Sequence, residues 1–187
     1  MNKKDTVVFD LDGTLLDTLE DLKNSVNYAM TQCGYPEHTL DEVRRYVGNG
    51  ILLLMQRAIP GGKDDPNFDK AFTLFKEHYG KHCNDTTKPY AGIMELLHTL
   101  KENNIKIAIV SNKADFAVKE LNAIYFKDLI LVAIGEKESE GIRKKPAPDT
   151  VIEALKQLGS TAENSVYIGD SDVDIETARN SGMDEIL

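Results

Sequence analysis

The chain has 187 residues, 41% of them hydrophobic, enough apolar material for one good core and a smaller satellite domain without disulfide or metal staples. Its 31 acidic and 22 basic residues give a formal net charge of -9, a field that repels nucleic acid and anionic membranes and argues against both as general partners. Cys33 and Cys83 lack a close C-x-x-C spacing and read as reduced thiols. No apolar run approaches the roughly 20 residues that span a bilayer.

Met1 to Asp5 lacks the apolar stretch and cleavage site of a signal peptide, so the expected compartment is the cytoplasm. Thr6 to Phe9 is the first strand. From Thr18 to about Asp85 four helical patterns follow without a convincing strand. Leu19, Leu22, Val26 and Met30 stripe the first, which Gly34-Tyr35-Pro36 ends; Leu40 to Val47 and Asn49 to Ile59 make the second and third. Phe68, Phe72, Phe75 and Tyr79 share one face of the fourth. Thereafter strands alternate with helices, the rhythm of a parallel sheet. Ile105 to Val110, Leu129 to Ile134 and Ser165 to Ile168 are the strands. The helices carry stripes at Ile93, Leu96, Leu97 and Leu100, at Val118, Leu121 and Ile124, and at Val151, Ile152, Leu155 and Leu158, the last stopped by Gly159. Val173 to Asn180 is a final helix, and Asp184 to Leu187 begins another strand. The expected fold is α/β, a doubly wound parallel sheet with a small four-helix domain inserted after the first strand. Residues 1–17 and 86–187 form the expected core and 18–85 the insertion, with two short linkers able to act as hinges.

The first strand runs into Asp10-Leu11-Asp12-Gly13-Thr14-Leu15-Leu16-Asp17-Thr18. Two carboxylates stand where a parallel strand ends, the place such sheets bind ligands. They can hold a hard cation, or one can attack phosphorus while the other handles the proton. Gly13 lets the backbone turn and bring its amides to an anion. D-x-D-G taken alone is equally a polar turn. The full string from Val7 to Thr18 resembles the first motif of the haloacid dehalogenase superfamily, D-x-D-G-T-L-x-D-[ST] after an apolar strand.

Three further stretches resemble that superfamily's remaining motifs. Ser111-Asn112-Lys113 follows the second strand; a Ser there also reads as a helix N-cap. Lys145-Pro146-Ala147-Pro148-Asp149 precedes a helix; charge does not choose between Lys144 and Lys145, and the family's spacing to the prolines chooses Lys145. Gly169-Asp170-Ser171-Asp172-Val173-Asp174 sets three carboxylates in five positions, which repel unless a cation or lysine sits among them. The resemblance covers nearly the whole chain and implies a phosphatase. Asp10 is then the nucleophile and Asp12 the general acid and base, while Ser111, Asn112, Lys145 and Gly13 bind phosphate. Mg2+ would lie on Asp10, the Asp12 main-chain carbonyl and Asp170, with Asp174 in support. Asp12 favours phosphate chemistry over dehalogenation, because a departing halide needs no proton.

Arg45, Gly48, Asn49 and Gly50 in the insertion resemble the substrate loop of phosphoglycolate phosphatases; in isolation they read equally as a helix-helix turn. The implied substrate is a small phosphorylated metabolite, 2-phosphoglycolate first. Alternatives within the superfamily are a pyrophosphatase, a sugar-phosphate or nucleotide phosphatase and a phosphomutase; outside it stands a non-catalytic binding protein on the same fold, which would be expected to have lost Asp10 or Asp12. Relatives of this type usually continue past the last motif with a further strand and helix, so the core is expected to lack them, with a monomer or homodimer as the assembly. His78, His82 and Cys83 read as surface or interior residues rather than a metal site, and Met30, Met55 and Met94 as core filling.

Overall fold

The computed structural model describes residues 4–187. The expected core segment and the reading of the amino terminus both include residues 1–3, which lie outside that range. The chain divides into two compact units, one of Met1–Leu16 with Pro89–Leu187, the other of Asp17–Lys88.

The first unit holds a five-stranded parallel sheet. Its strands are β1 (Thr6–Phe9), β4 (Lys106–Ala114), β5 (Val132–Glu136), β6 (Ser165–Ile168) and β7 (Asp184–Ile186), in the order β5-β4-β1-β6-β7. Two short strands, β2 (Leu16–Asp17) and β3 (Lys88–Pro89), pair with each other where the chain passes between units. Period-two alternation along β4 sends Ile107 and Ile109 into one apolar cluster and Ala108 and Val110 into another. Leu97 of α5 (Ile93–Glu102) and Val118 and Leu121 of α6 (Asp115–Tyr125) complete the first cluster. Val151, Ala154 and Leu155 of α7 (Asp149–Leu158) and Ala178 of α8 (Asp172–Ser181) complete the second. Helices on both faces explain why these strands read as nearly continuous apolar runs. Successive strands are laid down on one side of β1 and then on the other. β1 is therefore the switch point of the sheet, and open α/β sheets bind ligands at the carboxyl ends of strands at such a point.

The second unit packs α1 (Leu19–Gln32), α2 (Leu40–Tyr46), α3 (Ile51–Ala58) and α4 (Phe68–His82) around Val26, Met30, Met55 and Phe75. Thr39 and Glu42 cap α2 reciprocally, through Glu42 N to Thr39 Oγ1 at 3.3 Å and Thr39 N to Glu42 Oε2 at 2.7 Å. The buried Asp21 carboxylate accepts from the backbone amides and hydroxyls of Thr86 and Thr87 at 2.6 to 3.0 Å, tying α1 to the chain beyond α4.

Four expectations change. The third strand starts at Val132 rather than Leu129, because the amides of Leu129 and Ile130 both turn back onto the Phe126 carbonyl and Leu131 projects into solvent. α3 begins at Ile51 rather than Asn49, since Gly50 holds a φ of +87° outside the helical region. Met94 is partly exposed and fills no core, unlike Met30 and Met55. The second strand also runs on through Ala114, with a register irregularity against β5 between Val110 and Ala114.

Candidate active site

The register that aligns Phe9 with Ile109 and Ile168 brings the chain ends after β1, β4 and β6 to one level. Asp10 follows Phe9, its amide bonded to the Ile168 carbonyl at 2.9 Å. Ser111 follows Val110, and Gly169-Asp170 follows Ile168. Asp10 is buried, and Lys145 Nζ approaches its Oδ1 to 2.9 Å. The ammonium's aligned hydrogen bonds go elsewhere, to Asp174 Oδ1 at 2.8 Å and Tyr167 Oη at 3.1 Å. Asp10 Oδ1 is thus attracted by a charge while its own hydrogen-bonding capacity stays open. Burial pushes the Asp10 carboxyl up to about 6, with Lys145 pulling it down and the Asp174 and Asp12 charges pushing it further up. Burial opposes the charge on Lys145, yet Asp10, Tyr167 and Asp174 hold it well above the ordinary lysine range.

Asp174 uses both oxygens inside the protein. Oδ1 meets Lys145 and the Tyr167 hydroxyl; Oδ2 accepts from Ser171 N at 3.1 Å, Ser171 Oγ at 2.5 Å and Asp170 N at 3.3 Å. Burial would raise its pKa, but Lys145 and these donors hold it below the usual carboxylate range. Asp170 is exposed, and burial of part of its carboxyl, reinforced by the Asp174 charge, raises it. Carboxylate oxygens of Asp10, Asp170 and Asp174 converge within 4.8 Å. Among the described residues, no other group of three or more His, Cys, Asp or Glu does so, and His78, His82 and Cys83 form no such set. His78 instead meets Ser25 Oγ at 3.0 Å and stacks between Tyr28 and His82.

Two glycines make this crowding possible. A Cβ on Gly13, whose φ is +87°, would lie 2.2 Å from Asp170 Oδ2; one on Gly169 would lie 2.3 Å from Asp174 Cβ and Cγ. Asp10 and Asp170 therefore suit a hard divalent cation, with oxygen donors, a buried Asp10 oxygen with open capacity and close quarters kept by glycine, while Asp174, both of whose oxygens are engaged, supports them.

At the end of β4, Ser111, Asn112 and Lys113 are all buried. Asn112 Nδ2 donates to the Lys145 carbonyl at 3.1 Å, so this side-chain nitrogen ties the β4 end to the lysine loop. Lys144 turns to Glu138 at 2.9 Å and leaves the interior to Lys145. Lys113 Nζ reaches both Asp12 oxygens, at 2.8 and 3.0 Å. Tyr167 and Lys113 are the polar contributors that the sequence reasoning missed. Period two along β6 and a lysine at a strand end of an acidic chain were the available signals.

In the second unit, Gly48 and Gly50 hold φ of +104° and +87°, conformations that suit glycine. Asn49 Oδ1 accepts from Arg57 at 2.8 Å, and Arg57 also bonds the Tyr46 carbonyl at 2.7 Å, so Arg57 staples the loop. Arg45 is exposed on α2.

The family model described as haloacid dehalogenase-like hydrolase matches residues 7–187. The chain belongs to that family. A phosphoglycolate phosphatase of Aquifex aeolicus is 33% identical over 185 residues, covering 97% of this chain and 83% of the relative. One from Pseudomonas putida is 31% identical over 183 residues, and the chain spans 95% of itself and 66% of that protein. A Lactobacillus delbrueckii crystal structure assigned as a phosphoglycolate phosphatase superposes with a TM-score of 0.88 at 36% identity, covering 98% of this chain and 85% of that one. Among haloacid dehalogenase-like hydrolases, the chain is a phosphatase on an α/β parallel-sheet fold. None of its helices is long and apolar enough to cross a membrane, among the described residues.

Proposed function

We propose that this hydrolase cleaves the phosphomonoester of a small metabolite, 2-phosphoglycolate first, by transient phosphorylation of Asp10. The observation that carries the reading is the setting of Asp10: a buried carboxylate at a strand end, 2.9 Å from the sealed Lys145 ammonium and within a converging carboxylate trio. An Asp10 oxygen attacks phosphorus, the bond to the ester oxygen breaks, and Asp12 gives that oxygen its proton. Water then attacks phosphorus and loses a proton to Asp12, the bond to Asp10 breaks, and inorganic phosphate leaves. Lys145 and Ser111 stabilise the charge gathering on the phosphoryl oxygens, while Gly13, whose own amide is bonded to the Leu16 carbonyl at 3.0 Å, serves by letting the backbone turn close to them. Magnesium would be held by Asp10, Asp170 and the Asp12 main-chain carbonyl, with Asp174 orienting Lys145 and Ser171, and would neutralise phosphoryl charge.

The helical insertion, residues 18–85 by its sequence boundaries, is the proposed selector of substrate through Arg45, Gly48, Asn49 and Gly50. The names of the Aquifex aeolicus and Pseudomonas putida relatives support 2-phosphoglycolate. A panel of phosphorylated metabolites with Mg2+ tests the choice: we expect 2-phosphoglycolate to give the highest kcat/KM, and a rank far below sugar phosphates or nucleotides would overturn it.

A further inference from the structure

We infer that Lys113 is the positioning residue for Asp12, an inference that rests on the proton-transfer role proposed for Asp12 above. The Lys113 ammonium sits 2.8 and 3.0 Å from the two Asp12 oxygens. Its side chain is 2% exposed, against 27% for Asp12, so the cation is sealed while the carboxylate keeps a face toward solvent. The terminal torsion of an aspartate is broad and soft. A charge held across both oxygens fixes the carboxylate plane, which a group that first gives and later takes a proton must keep within hydrogen-bond reach of the reacting oxygen.

Both ends of the contact are anchored. On the Asp12 side, the amides of Leu15 and Leu16 return to the Leu11 carbonyl at 3.0 and 2.9 Å, and Gly13 N to the Leu16 carbonyl at 3.0 Å. On the other side, β4 carries a register irregularity against β5 between Val110 and Ala114, the stretch that holds the buried Ser111, Asn112 and Lys113. Such irregularities re-aim side chains beside active sites. Gly135 of β5 passes directly against this segment: a Cβ there would lie 2.6 Å from the Lys113 carbonyl and 2.4 Å from Asp115 Cα. Gly135 N also bonds Asp115 Oδ1 at 2.9 Å. The backbone that carries Lys113 is thereby clamped to its neighbouring strand.

The test compares Lys113→Met, Lys113→Gln and Lys113→Arg with Asp12→Ala and the Lys113→Met/Asp12→Ala double variant. Each is assayed with 2-phosphoglycolate, whose alkoxide leaves poorly, and with p-nitrophenyl phosphate, whose phenolate leaves without help. Proton donation contributes typically 10²- to 10⁴-fold, so losing its alignment in Lys113→Met should lower kcat/KM for the alkyl ester by about 10- to 100-fold. The value for p-nitrophenyl phosphate should stay within about threefold, because leaving-group protonation is not needed there. Lys113→Arg should restore part of the loss, and Lys113→Met should add little in the Asp12→Ala background. An equal loss on both esters, or a full multiplicative loss on top of Asp12→Ala, would assign Lys113 a structural or phosphate-binding role and overturn the inference alone. Wild-type turnover of the alkyl ester by Asp12→Ala would remove the Asp12 assignment and this inference with it. Thermal melts identify variants that do not fold, and Lys113→Gln, which keeps a donor, carries the comparison if Lys113→Met fails.

Discussion

Replacing Gly13 by alanine places one methyl group where the Asp170 carboxyl leaves no room for it. The new Cβ would stand 2.2 Å from Asp170 Oδ2 and 2.7 Å from its Cγ, at a backbone φ of +87°. Ordinary carbon-oxygen contact needs more than 3 Å, so the Asp170 carboxyl must retreat by about 1 Å, a misplacement that can cost about 10²-fold in rate at a reacting centre. The left-handed backbone adds only about 1–2 kcal/mol of strain. For a chain of this length that lowers Tm by roughly 2–8 °C. The expected signature is a large catalytic loss in a protein that still folds, with a higher Mg2+ concentration needed for half-maximal rate. Mg2+-dependent phosphate release and thermal melts on Gly13→Ala measure both. Turnover within about threefold of wild type at an unchanged Mg2+ requirement would show that Asp170 has room to spare and refute the steric reasoning.

The helical unit should depend on Asp21: Asp21→Asn puts an NH2 against donors of Thr86 and Thr87, so several charge-assisted hydrogen bonds fail and chemical unfolding should show a loss of about 3 kcal/mol. The pH dependence follows from Asp10, whose carboxyl burial raises to about 6 from an ordinary 3.8. A carboxyl raised by folding binds its proton more tightly in the native state, so its contribution is present below about 4 and is lost as pH rises through about 6. Without divalent cation, melts should lose stability between about pH 4 and pH 6.5 relative to Asp10→Asn, and Mg2+ should restore more at pH 7.5 than at pH 5.

The doubly wound core was legible because its strands are short apolar runs and its helices carry stripes at 3.6 spacing. The first and fourth strands fall where the apolar residues end abruptly, at Asp10 and Gly169. Boundaries slipped where polarity and geometry disagree. Leu129 and Ile130 look like strand residues, but the turn after α6 claims their amides; Ser111 to Lys113 look like a turn, and the strand continues through them. The carboxylates of the candidate site lie in contiguous motifs and could be named from the string. The Lys113–Asp12 contact joins positions 101 apart and depends on Gly135 in a third segment, so no local pattern announces it. Tyr167 likewise joins Asp174, Lys145 and the Val110 carbonyl only once three chain segments have met.

The central claim is that Asp10 carries the phosphoryl group. Acid-quenching the protein during turnover of 2-phosphoglycolate with Mg2+, followed by mass analysis of the peptide containing Asp10, measures this directly. We expect one added phosphoryl group on that peptide, removed by hydroxylamine, and neither adduct nor turnover in Asp10→Asn. Normal Mg2+-dependent turnover in Asp10→Asn, or a phosphoryl group on another residue, would contradict it.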